Sequence, residues 1–161
     1  TTYKSPEIAT LLQGTLSGVG PTGIPIPPSY FFIDVKIIGL SALPDGGADY
    51  SLVGQTAAHG DNHYGTPTFN TALASLAAQY RDKYDGGDVF TPLAYNDMSL
   101  INGGLFDING SWAPPHKRHR LGTNVDMRLV PMDRRKSLRK LIEDLELSIL
   151  DEGNHWHLTQ Q

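Results

Sequence analysis

Residues 30–38 alternate in character. Phe31, Ile33, Val35 and Ile37 fall on one side of an extended chain, and Phe32, Asp34 and Lys36 on the other. That is the period-2 signature of a strand with one buried face. Pro44-Asp45-Gly46-Gly47 is a turn sequence, and Tyr50 to Thr56 reads as a second strand forming a hairpin with the first. The period then changes. Over 67–84, Phe69, Ala72, Leu73, Leu76 and Tyr80 share one helical face. Thr66 suits the cap, Pro67 the first turn, and Asp85-Gly86-Gly87 the stop. Leu93 to Tyr95 is a short strand, and residues 96–118 read as an irregular loop. Val125 to Val130 is predicted as a strand, and Pro131-Met132-Asp133 opens a second helix with Leu138, Leu141, Ile142 and Leu145 as its stripe. Leu147 to Leu150 and His155 to Leu158 are predicted strands around the turn Asp151-Glu152-Gly153-Asn154. Two helices among short strands predict an α+β fold, with a small antiparallel sheet flanked by helices.

Residues 18–28 interrupt this patterning with repeated Gly and Pro, which weaken or block helix. Residues 1–28 are therefore expected to be an extended arm or linker, and residues 29–161 the folded domain. A chain of 161 residues is long enough to bury one core. Thr1 opens it without a Met or an apolar leader, as expected of a processed protein or an excised domain. With a net charge of −4 and no basic block, nothing favours nucleic-acid binding. No stretch is long and apolar enough to predict a membrane span. The absence of cysteine excludes disulfides, thiol nucleophiles and Cys-ligated zinc, so any metal site must use His, Asp, Glu and water.

Two segments concentrate such groups: His116 to Asp126, and His155-Trp156-His157. Residues two apart in a strand face the same way. His155 and His157 therefore project together, one able to bind metal while the other faces water or substrate, and Trp156 is directed to the core. His119 and Asp126 are seven apart, and a turn at Gly122 would bring them together. Two imidazoles and a carboxylate leave the open position that a catalytic zinc requires.

The motifs Asp97-Met98-Ser99, Gly103-Gly104, His116-X2-His119-X2-Gly122-X3-Asp126 and His155-Trp156-His157 resemble the LAS-type zinc metallopeptidases. Within that family the branch of penicillin-insensitive murein endopeptidases is the most similar. The resemblance covers residues 50–161. It implies a Hedgehog/DD-peptidase-like fold, Zn2+ held by His119, Asp126 and His157, and His155 as the catalytic histidine. It places His116 beside the metal. The implied reaction is hydrolysis of peptide bonds in peptidoglycan stem or cross-link peptides, in the periplasm or outside the cell.

The chain departs from the family at two points. The carboxypeptidase branch carries a catalytic Glu where Asn154 stands, so the histidine-assisted route is expected here, with Glu152 as the fallback base. The endopeptidase branch has a further acidic motif, and Glu143-Asp144 is read instead as a solvated helix face. A non-catalytic cell-wall-binding or assembly module retaining the fold is the alternative. Among the remaining polar groups, Asp97 and Asn96 are candidates to line the cleft or brace a ligand histidine. Arg118 and Arg120 are expected to face solvent, and His59, Asp61, Asn62 and His63 to form a polar surface loop. Tyr64 and Tyr95 are the aromatic candidates for substrate contact.

Overall fold

The computed structural model describes residues 10–58, 60–86, 90–104 and 118–161. In chain order, β1 (Thr10–Val19) and β2 (Pro25–Val35) are followed by β3 (Ser41–Ala42), β4 (Tyr50–Leu52) and β5 (Tyr64–Gly65). Then come helix α1 (Pro67–Tyr84), β6 (Leu93–Tyr95), β7 (Asn124–Arg128), helix α2 (Met132–Asp144), β8 (Leu147–Asp151) and β9 (His155–Gln160). The fold is α+β. Its main sheet has five strands in the order β4-β6-β7-β9-β8.

That sheet is mixed, which corrects the expectation of a purely antiparallel one: β4 runs parallel to β6, while β6–β7, β7–β9 and β9–β8 are antiparallel. The expected hairpin between residues 30–38 and 50–56 is also absent. β2 pairs instead with β1, in a separate two-stranded sheet. The chain between makes other contacts. The Ile37 N–H donates to the Asn102 carbonyl at 3.0 Å, β3 pairs with β5, and Asp45 and Gly46 accept within their own turn.

The Gly/Pro run forms a turn and the start of an extended strand. Gly20–Gly23 forms a tight turn, closed by Gly23 N–H to the Gly20 carbonyl at 2.9 Å. Pro25, Pro27 and Pro28 then lie inside β2. Proline lacks a donor, but Pro25 opens the strand and Pro27-Pro28 fall at the register shift between Leu16 and Gly18, where the ladder does not call for one. β2 thus runs across the anticipated boundary at residues 28/29.

The helices match the patterning. Thr66 caps α1, its Oγ1 accepting from Phe69 N–H at 3.2 Å, and Phe69, Leu73, Leu76 and Tyr80 are fully buried. In α2, Leu138 and Ile142 are buried, with Leu141 and Leu145 partly so. These side chains join Val125 and Met127 of β7 and Trp156 and Leu158 of β9 in one core. The opposite faces of those two strands carry Asn124, Asp126 and Arg128, and His155, His157 and Thr159. Strand alternation therefore separates the core from the chemistry across a single sheet.

A candidate metal centre on one face of the sheet

Asp126 and His157 are directly opposed across β7 and β9. His157 Nδ1 lies 2.7 Å from Asp126 Oδ1. His119 enters from the preceding turn, with Nε2 3.4 Å from Asp126 Oδ2, and its ring meets that of His157 edge-on at 5.1 Å between centroids. One donor atom from each of the three residues lies within 4.8 Å of the others. All three are buried, at 3–7% exposure, so the carboxylate is charged among imidazoles rather than in bulk water.

Gly122 makes the turn, as its place in the sequence predicts. Its φ of 71° is left-handed, and a side chain there would strike Leu40 and Gly65. Its carbonyl accepts from Thr66 N–H at 2.9 Å, and Thr66 Oγ1 also reaches Gln160 Oε1 at 3.1 Å. The cap of α1, the His119 turn and the end of β9 are thereby tied together.

Burial pushes the Asp126 carboxyl up, but the hydrogen bonds and charge of His119 and His157 outweigh it and hold the group well below the usual carboxylate range. Asp126 is thus an anion at neutral pH. Its backbone is clamped as well: Asn96 N–H donates to the Asp126 carbonyl at 2.7 Å, and Asp126 N–H to the Asp97 carbonyl at 2.9 Å. The Asp97 side chain accepts from Asn62 Nδ2 at 2.8 Å. Asn96 and Asp97 brace the strand that carries the carboxylate.

His155 stands at the rim, its side chain 25% exposed. Nε2 lies 3.5 Å from Asp126 Oδ1 and 3.3 Å from Glu152 Oε2, and Nδ1 lies 2.7 Å from Asn154 Oδ1. Glu152, expected only as a fallback, is therefore in contact with the rim histidine. Trp156 points to the other face, 2% exposed, with Nε1 donating to Asp151 Oδ2 at 3.0 Å.

The donor set suits a divalent metal ion. Bonds of about 2.0–2.2 Å in a tetrahedron place ligand atoms about 3.3 Å apart. His119 Nε2 and Asp126 Oδ2 are 3.4 Å apart, while His157 Nδ1 and Asp126 Oδ1, at 2.7 Å, are at hydrogen-bond distance and would move apart to admit an ion. At His157 the outward ring nitrogen, Nε2, faces Asn124 Oδ1 at 3.0 Å, which leaves Nδ1 as the atom directed at the site.

Other expectations are corrected. Asn62 and His63 are not a surface loop but buried, at 0% and 1% exposure. His63 Nε2 sits 3.0 Å from the Val53 carbonyl and 3.2 Å from that of Tyr95, bridging the ends of the parallel pair β4–β6. Tyr95 is fully buried and donates its hydroxyl to the Leu73 carbonyl at 2.8 Å, so it is a core residue. Arg118 is exposed as expected, but Arg120 is half-buried. His116 and His59 lie outside the described residues. Asn124 and Thr159 carry no motif, yet they share the period-2 face of Asp126 and His157. That spacing is the signal by which the sequence could have disclosed them.

No protein-family model matches the chain, and no curated protein matches it significantly.

Proposed function

We propose that this chain is a zinc-dependent peptidase acting on the stem or cross-link peptides of peptidoglycan, in the periplasm or outside the cell, on a Hedgehog/DD-peptidase-like fold. One observation carries the reading: a single buried carboxylate, Asp126, has ring nitrogens of His119, His155 and His157 within 3.5 Å. The motif spacings shared with LAS-type peptidases support the choice of substrate.

His119, Asp126 and His157 would hold the ion, and zinc bound there supplies Lewis acidity and a water-derived nucleophile at neutral pH. With one anionic ligand the centre keeps a net positive charge. His155 is oriented by its contact with Asn154, leaving Nε2 toward the site. A proton taken up at Nε2 would be held there by Asp126 Oδ1 and Glu152 Oε2, ready for the departing amine. General acid–base help of this kind contributes about 10²–10⁴-fold. Asn96 and Asp97 hold the Asp126 strand and so fix one ligand against the others.

Metal analysis combined with digestion of purified sacculi tests this. The expected result is about one zinc per wild-type chain, with near-complete loss in His119→Ala and Asp126→Ala. Muropeptide release should be abolished by chelation and by His155→Ala, with His155→Ala still retaining zinc. A chain that binds zinc yet releases nothing from sacculi and cleaves no stem peptide is not this enzyme.

A further inference from the structure

We infer that Asn124 is a positioning residue for the metal centre, its side-chain oxygen fixing His157 so that Nδ1 presents its lone pair to the ion. This rests on the metal-binding reading above and adds to it a residue that no motif marks.

Asn124 and Thr159 are cross-strand partners on β7 and β9, on the same face as the pair Asp126 and His157. Asn124 Oδ1 receives two donors: His157 Nε2 at 3.0 Å and Thr159 Oγ1 at 2.8 Å. The amide orientation is set from its other end, where Nδ2 donates to Thr123 Oγ1 at 3.1 Å. With the acceptor fixed, the His157 proton belongs on Nε2, and a neutral imidazole then has its lone pair on Nδ1. Nδ1 is the nitrogen 2.7 Å from Asp126 Oδ1. That separation is a hydrogen-bond distance, closed by a proton when no ion is bound. Because Asn124 keeps Nε2 as a donor, Nδ1 is the nitrogen that exchanges its proton for an ion shared with Asp126. Asn124 and His157 are 8% and 3% exposed, which leaves little room for water to replace the amide. Outer partners of metal-bound histidines typically contribute about 10–100-fold in metal affinity.

Zinc affinity, measured by competition against a chromophoric chelator, tests the inference. Asn124→Ala should bind zinc about 10–100-fold more weakly than wild type. Asn124→Asp keeps an acceptor and should stay close to wild type, and Thr159→Val should lose less than Asn124→Ala. In the zinc form, ¹⁵N spectra should show His157 bound through Nδ1 and protonated at Nε2, a signature that a purely structural role would not require. A wild-type chain that takes up no zinc sinks the metal reading and this inference with it. Tight wild-type binding beside an equally tight Asn124→Ala overturns the role of Asn124 alone. If Asn124→Ala does not fold, the wild-type spectrum decides, and zinc bound at Nε2 overturns the inference.

Discussion

Two antiparallel strand pairs in this protein invert what their sequences suggest. β1–β2 is the more apolar, with Leu16, Val19, Ile24, Ile26, Tyr30, Phe31 and Phe32 in or between its strands, yet each of these is at least 50% exposed. β7–β9 alternates apolar residues with Asn, Asp, His and Thr, yet Asp126, His157 and Asn124 are buried with their neighbours. The difference lies in what covers each sheet. Among the described residues, no further strand pairs with β1 or β2. β7 and β9 lie inside a five-stranded sheet, with a common core on one face and the His119 turn on the other. Alternation fixes which residues share a face. It does not say whether that face finds a partner.

The sharpest test of the comparison lies within β9. Trp156 fills the core and stacks under Arg139, with 4.9 Å from the guanidinium carbon to the ring centroid, while His155 beside it stands at the rim. Trp156→Ala should cost about 3–5 kcal/mol by denaturant unfolding. His155→Ala should change stability by no more than about 1 kcal/mol. Equal losses would mean that the two faces are not divided as described.

The central elements were legible in the sequence because local rules and tertiary packing agree there. The α1 stripe, its Thr66 cap and the Gly122 turn need only a helical period and a left-handed residue, and all three are observed. Of the three candidate ligands, a glycine turn made the approach of His119 to Asp126 legible, and alternation put His155 and His157 on one face. The choice of His157 came from the resemblance alone, because it depends on the β7–β9 register. Strand partners were not legible. Parallel pairing of β4 with β6 joins residues more than 40 apart in the chain, and His63 bridges its end through the carbonyls of Val53 and Tyr95, the latter 32 residues away. For the same reason Asn62 and His63 looked like loop polarity, although they are buried structural groups.

His63 offers a second, smaller test, this time at the opposite edge of the sheet from β8. Burial is the largest influence on its imidazole and lowers its proton affinity, outweighing the two carbonyls that favour the charged form. The unfolded chain, with an ordinary value near 6.5, therefore takes up this proton first as pH falls. His63 supports the fold fully above about pH 6.5, and its contribution is lost as pH drops toward its depressed folded value. His63→Gln should flatten the decline in unfolding free energy between pH 7.5 and 5 relative to wild type. Because the site histidines are the same in both proteins, they cancel in the difference. An unchanged slope would show that His63 is not the buried neutral bridge its contacts describe.

The smallest expected effect belongs to the hairpin. Phe32 is 61% exposed, and an isolated two-stranded sheet adds little stability of its own in water. Phe32→Ser should therefore shift unfolding by no more than about 0.5 kcal/mol and leave zinc uptake unchanged. The same substitution made at a core position of β7–β9 would be severe, because there an apolar side chain has neighbours on every side and its removal leaves a cavity. A loss above about 2 kcal/mol at Phe32 would place that ring in a packed interior. It would also remove the contrast between the two strand pairs, since exposure at β1–β2 is what separates them.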